Sequence, residues 1–226
     1  MKTNEREIVT VIRPAPGSGI KRMLVVSLAL TGVLGFLATP AHASAQDSGA
    51  DSGAPRCGGQ SVDPKAKIRY RSEVVINAPL RTVWKLQTEV ERWPSWQPAV
   101  LTSRRLDSGP LRAGSSFRWT TPVPETPLSP ATTLVVTSTI HQLQRHNCVR
   151  WSGPAVGEGL RIDEGVHVWT FTEIGGRVLV RTEETWRGPQ VEADVEFATA
   201  ALGAGLEAWL RDLKTAAERD CDRHRL

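Results

Sequence analysis

Ile68, Tyr70, Val74 and Ile76 share one parity, and Val74 and Ile76 alternate with Glu73, Val75 and Asn77. That period predicts a half-buried strand. After the turn Asn77-Ala78-Pro79 the spacing changes to that of a helix, carried by Val83, Leu86, Gln87 and Val90 with Trp84 beside them. Pro79 suits a first helical position, because its φ is already helical and its missing N–H has no intrahelical partner to lose. Pro94 and Pro98 disfavour helical conformation in the residues before them, so the helix ends in the elbow Trp93-Pro94-Ser95-Trp96.

Strand patterns follow at 100–106 and 115–121, the second with Phe117 and Trp119 on one face. Four prolines between 121 and 130 predict a strand-free loop. Residues 132–143 and 148–154 predict a hairpin around Arg145-His146-Asn147, and 160–173 and 177–187 a second one. Gly175-Gly176 suits a two-residue turn that needs positive φ. With those two at the tip, Phe171 faces Val180, Trp169 faces Thr182 and His167 faces Glu184. The face bearing these aromatics is predicted to point inward. The other, with Val168, Thr170, Thr172, Leu179, Arg181, Glu183 and Thr185, is predicted to meet solvent. Last comes a helix over 190–219, whose stripe of Val191, Val195, Ala198, Leu202, Leu206, Trp209 and Leu213 faces a core. Its length of about 45 Å suffices to cross a curved sheet and cover its concave side. Gly203 and Gly205 in mid-helix suggest a bend, a close approach, or room for neighbouring tryptophans.

The run Ile76-Asn77-Ala78-Pro79 with Val83-Trp84, followed by Glu89-Val90-Glu91-Arg92-Trp93-Pro94-Ser95-Trp96, resembles the START-like (SRPBCC) superfamily. The resemblance is strongest to its polyketide cyclase/dehydrase and lipid-transport branch. There the pattern reads I-x-A-P-x-x-x-V-W and then D-V-x-x-W-P-x-W, so Glu89 stands in place of an aspartate. Residues 109–115 and His167-Val168-Trp169-Thr170-Phe171 match more loosely. The resemblance implies an α+β helix-grip fold over 66–222. In that fold a seven-stranded curved antiparallel sheet wraps around a long C-terminal helix, with two short helices after the first strand. It also implies either a carrier or sensor of hydrophobic small molecules or lipids, or a cyclase/dehydratase.

The amino-terminal region reads differently. Lys21-Arg22 precede an apolar run from Met23 to Ala38, and Ala41-His42-Ala43 is a small-x-small cleavage pattern. At about 16 residues the run is short for a span, which needs roughly 20. Residues 1–43 are therefore expected to be a signal peptide cleaved near Ala43 or Ala45, giving a secreted or extracytoplasmic product with no stable membrane insertion. An uncleaved membrane anchor is the alternative. Residues 44–65, rich in Ser, Gly, Ala and Asp, are expected to form a flexible linker.

Removing 1–43 changes the charge picture. The whole chain carries 28 basic and 24 acidic residues, for a formal charge of +4. The mature part is nearly neutral and has no long basic run, so nucleic-acid binding has no footprint. Cys57, Cys148 and Cys221 all survive cleavage. In an oxidising compartment two of them can pair, and sequence does not choose which. No metal site and no cofactor are expected. The cysteine spacing lacks a zinc pattern, His141 and His146 make a poor metal pair, and nucleophile-elbow, zincin and phosphate-loop motifs are absent.

Eight tryptophans against one tyrosine is the main compositional oddity. Trp119, Trp151 and Trp169 fall on the inferred inner face, and Trp209 reaches it from the last helix. They form either ordinary core or the wall of a ligand cavity. His167, Thr182 and Glu184 on the same face favour a cavity. The expected ligand-binding residues are thus Tyr70, Trp119, Trp151, His167, Trp169, Phe171, Thr182, Glu184, Leu206 and Trp209. His167 and Glu184 are the only acid/base candidates, and a cross-strand pair that merely satisfies two polar groups is the plainer reading. A partnering carboxylate is expected to raise the histidine pKa unless desolvation wins.

Overall fold

The computed structural model describes residues 53–126 and 129–223. The proposed signal segment and the first part of the expected linker lie outside the described residues. Strand β1 (Ile68–Ile76) leads into helix α1 (Leu80–Thr88) and a 3-10 turn (Val90–Ser95). Six further strands follow: β2 (Thr102–Arg105), β3 (Ser116–Val123), β4 (Thr132–Gln144), β5 (Cys148–Gly157), β6 (Leu160–Ile174) and β7 (Arg177–Arg187). Helix α2 (Val195–Arg223) is the last element of the described residues. The seven antiparallel strands form one sheet in the order β1-β7-β6-β5-β4-β3-β2. This is the helix-grip arrangement, with β1 meeting β7 at one side and short β2 at the other.

Curvature has local causes. The register shifts between Ile140 and Gln142 and again between Gly153 and Ala155. Such irregularities bend a strand and increase its twist. Gly153 is required there, since a Cβ would lie 1.8 Å from the Thr137 carbonyl oxygen. The expected register of the last hairpin is found: His167 opposes Glu184, Trp169 opposes Thr182 and Phe171 opposes Val180.

Helix α1 ends at Thr88, before the elbow expected to end it, and Pro94 lies inside the separate 3-10 turn. Three further sequence expectations need correction. The proline-rich 121–130 stretch is not strand-free, because β3 runs on through Pro122 to Val123. β2 pairs only as far as Thr120. Beyond it β3 is an edge on that side, where a strand tolerates a residue without an N–H. The long helix begins at Val195 rather than 190, and Val191–Ala193 forms a separate 3-10 turn. Asp194 between them caps the helix, accepting the Phe197 N–H at 2.9 Å. In the buried stripe, Leu210 and Ala217 join Ala198, Leu202, Leu206 and Leu213, while Trp209 is only half-buried.

The third correction concerns the convex face and residues 53–65. Cys57 is bonded to Cys148 across 91 residues of sequence. Cys57 and Val62 are buried together with Cys148, Val166 and Val168 in a small cluster. Arg150 donates to the Ser61 carbonyl at 2.9 Å, and Arg187 pairs with Asp63 at 3.1 Å. So this half of the expected linker is a strap over the outer face. Val168 lies under it, and Glu183 and Thr185 are buried as well, so these three do not meet solvent as their parity suggested. Glu183 is paired with Arg69 at the edge of this cover.

The space between sheet and α2 divides into two clusters. One is aliphatic: Ile68, Leu134, Ala155, Ile162, Val191, Ala198, Leu202 and Leu206. The other is aromatic, built on Trp84, Trp93, Phe117, Trp151, Trp169 and Phe171 with Leu210 and Leu213. Gly203 belongs to the first. A Cβ there would lie 2.6 Å from the Tyr70 ring, so this glycine allows α2 to approach β1. Gly205 is exposed with nothing near its Cα substituent position, and has no such role.

Candidate functional site

Alternation along β6 and β7 places Gly165, His167, Trp169 and Thr182, Glu184, Trp186 on the inward face. The His167 ring is buried between Trp151 and Trp169, with centroid separations of 5.1 and 4.9 Å. Its Nδ1 lies 3.0 Å from Glu184 Oε2, and its Nε2 lies 2.7 Å from Thr182 Oγ1. The Thr182 hydroxyl has the Val168 carbonyl within 3.3 Å as its acceptor. Thr182 therefore receives the Nε2 proton of His167. Trp186 Nε1 donates to Glu184 Oε1 at 2.8 Å. Gly165 leaves room for this carboxyl, since a Cβ would come within 3.3 Å of Oε1.

The protonation state follows from burial. Desolvation pushes the Glu184 carboxyl up to about 7, against a smaller lowering by the Trp186 hydrogen bond. Desolvation also pulls His167 down to about 3. The upward histidine shift expected from a partnering carboxylate is thus overturned, because loss of hydration outweighs the charge interaction. Below about pH 7 the carboxyl is protonated and the imidazole neutral, so the pair carries no charge there. Glu184 donates its acid proton to Nδ1, and Nε2–H donates to Thr182. Every hydrogen-bonding position of the imidazole is then engaged within the protein, so the ring has no free nitrogen to offer a reacting group.

Around this centre the rings form a continuous array. Trp169 contacts Trp209 at 6.4 Å, and Trp209 contacts Trp96 at 6.0 Å and Trp119 at 5.7 Å. Trp93 is the hub, edge-on to Phe117, Trp119 and Trp209 and tilted against Trp151 at 6.2 Å. Trp96 also lines an open groove of about 970 Å³ between α1 and the C-terminal half of α2. Leu86, Pro98, Ala216, Arg81, Lys85 and Arg219 lie along the same groove.

Several buried donors in this array have no protein acceptor. Gln87 is fully buried, and its Oε1 accepts from Trp209 Nε1 at 3.0 Å. Indole N–H can only donate, so Gln87 Nε2 carries two hydrogens. Among the described residues neither finds an acceptor, nor do Nε1 of Trp96, Trp119 and Trp169 or Nε2 of Gln97. Each unmet buried donor costs about 1–3 kcal/mol.

The structure therefore brings Trp151, His167, Trp169, Thr182 and Glu184 together, with Trp119 and Trp209 joined through the ring array. Phe171 sits farther along, edge-on to Trp84 at 5.3 Å. Tyr70 stands opposite Glu184 in the β1–β7 pairing, but its ring packs against the aliphatic cluster that also holds Leu206, and its hydroxyl hydrogen-bonds Glu207 at 2.5 Å. That bond is the main cause holding the Tyr70 pKa above its ordinary value. Sequence reasoning did not assign Trp93, Gln87, Gln97 or Trp186 to the site. The available signal was Gln87 itself, a polar residue in an otherwise apolar helical stripe.

Comparison with solved structures agrees with this architecture. A START superfamily protein from Mycobacterium smegmatis aligns at TM-score 0.50 and 13% identity, covering 67% of this chain and 97% of that one. Protein TTHA0849 from Thermus thermophilus aligns at 0.51 and 16%, covering 66% and 96%. The di-domain ARO/CYC StfQ from the steffimycin biosynthetic pathway aligns at 0.51 and 19%, covering 70% of this chain and 47% of that one. At these identities the likeness is one of fold. No curated protein matches the chain. The model of the polyketide cyclase/dehydrase and lipid transport family matches residues 67–218, and with two thirds of its length inside that match the chain belongs to this family.

Proposed function

We propose that the chain is an exported binding protein for a flat hydrophobic small molecule or lipid, held at the aromatic end of the space between sheet and α2. The observation that carries this reading is the unbroken ring series His167–Trp169–Trp209–Trp96, whose last member lines the open groove. Of this series only Trp96 lines the groove, and the other rings pack behind it toward the buried His167–Glu184 pair. An apolar, aromatic lining with a few polar groups is a common form of small-molecule site. Export is supported by the Ala41-His42-Ala43 pattern behind a short apolar run and by the Cys57–Cys148 disulfide, a bond that persists in oxidising compartments. Residues 1–43 act as a cleaved signal, and the mature product starts at Ser44 or Gln46 without membrane insertion.

A cyclase or dehydratase is the second reading, favoured by the buried Glu184–His167 hydrogen bond. Against it, both imidazole nitrogens are engaged internally. Native mass spectrometry of the gently purified, exported protein tests the first reading. A small-molecule adduct on the mature chain is expected. A bare mass in every preparation, or an intact Met1 retained in membranes, contradicts binding or export respectively. Turnover of a multi-ketone substrate that falls about 10²–10⁴-fold in Glu184→Gln would establish the enzyme instead.

A further inference from the structure

We infer that the surroundings of Trp209 select flat ligands bearing a hydrogen-bond-accepting oxygen, such as a ring carbonyl, over hydrocarbons of the same shape. This rests on the binding reading above and names the chemistry that the site prefers.

Trp209 touches the rings of Trp96, Trp119 and Trp169 and donates its own N–H to Gln87. Each of these four partners carries buried N–H groups for which the described residues supply no acceptor. Three of the groups are indoles, which have no lone pair to offer. The fourth is an amide whose orientation is set because its oxygen already serves Trp209. Gln97 repeats the pattern nearby, its Oε1 accepting from Ala99 N at 3.1 Å while its Nε2 lacks a partner. Ser103, opposite Trp119 in the sheet, adds an unmet hydroxyl that can accept as well as donate, but the other unmet groups around Trp209 are all donors. The neighbourhood holds spare donors, and its one charge-capable pair, His167–Glu184, is closed upon itself. A guest that brings acceptor oxygens completes these hydrogen bonds. A pure hydrocarbon leaves them unmade, and a donor-rich guest adds to the excess.

Fluorenone and fluorene form a suitable probe pair, since they share one tricyclic shape and differ by a single carbonyl oxygen. Quenching of tryptophan fluorescence reports binding of either to the mature protein. Fluorenone is expected to bind at least about tenfold more tightly, the factor that one hydrogen bond to an otherwise unmet donor supplies. The preference ratio should fall in Gln87→Glu, which keeps an acceptor for Trp209 but removes the amide donors, and in Trp169→Phe. Thermal melts verify that each variant is folded, and the wild-type ratio stands without them. Equal affinity for the two probes overturns the inference while leaving the binding reading intact. It would indicate that water already satisfies the donors. A wild-type ratio retained in both variants removes Gln87 and Trp169 from the selection and overturns the assignment. Binding of neither probe contradicts the binding reading itself.

Discussion

The two ends of the space under α2 are built on opposite principles. The aliphatic end packs Ile68, Leu134, Ile162, Leu202 and Leu206, and the polar tips of the aromatics against it are satisfied, Tyr70 by Glu207 and Trp186 by Glu184. The aromatic end packs larger, flatter groups and leaves buried N–H donors unmet. Stability alone would favour the first arrangement throughout, because unmet donors only subtract from it. The contrast teaches that both ends hold α2 on the sheet, the aromatic one through Leu210, Leu213 and Ala217, but only the aromatic end carries buried donors that folding leaves unmet. The His167–Glu184–Trp186 network stands between them, with His167 against the aromatic rings and Trp186 against the aliphatic cluster.

The largest expected effect is at the aliphatic end. Leu206→Ala should cost about 2–5 kcal/mol in denaturant unfolding, through lost burial and the cavity left behind. A loss below about half a kcal/mol would show that this end is not an anchor.

Next is the neutral pair. A carboxyl raised to about 7 when folded contributes stability that is fully present below its unfolded value near 4.5 and is lost as pH rises through 7. That loss amounts to about 3 kcal/mol. Glu184→Gln can still donate to Nδ1, so it should abolish the alkaline loss and be more stable than wild type at pH 8. His167 is lowered, so its contribution is present above pH 6.5 and lost as pH falls toward 3, in both proteins. Stability measured from pH 4 to 9 decides this. A variant less stable than wild type by several kcal/mol at every pH would mean a buried ion pair instead.

Two glycines give a smaller contrast. Gly203→Ala must displace the Tyr70 ring and should cost about 1–3 kcal/mol, while Gly205→Ala should stabilise by about 1 kcal/mol through helix propensity. Thermal melts showing the same sign for both would refute the close approach. Smallest is Trp169→Phe, expected to cost only about 1 kcal/mol, since the lost burial is offset by removal of an unmet donor. A loss of 3 kcal/mol or more in chemical denaturation would mean that this indole is anchored after all.

Local chemistry was the legible part of this molecule. Gly175-Gly176 determined the register of β6 and β7, and with it the His167–Glu184 contact, because a two-residue turn leaves only one pairing. The helix-grip order was legible from the motif around Ile76 to Trp96. Three features were not. The strap at 53–65 depends on Cys57 and Val62 finding partners about 90 to 110 residues away, inside a stretch whose composition signals a linker. The protonation of His167 depends on how much water its neighbours exclude, which no alternation pattern reports. Trp93 became the hub because residues 90–95 form a 3-10 turn that includes Pro94 and packs the indole against Phe117, Trp119, Trp151 and Trp209, a tertiary outcome that prolines read only as helix breakers do not report.

Probe affinity in matched variants of the two ends tests the central claim most directly. Leu206→Ala and Trp209→Leu both remove buried or half-buried apolar volume from α2, but at opposite ends. Fluorenone titrations, followed by quenching of the remaining tryptophans, should show Leu206→Ala within about twofold of wild type and Trp209→Leu weakened by at least about tenfold. Equal losses in both, or a larger loss in Leu206→Ala, would contradict the assignment of the aromatic end as the binding site.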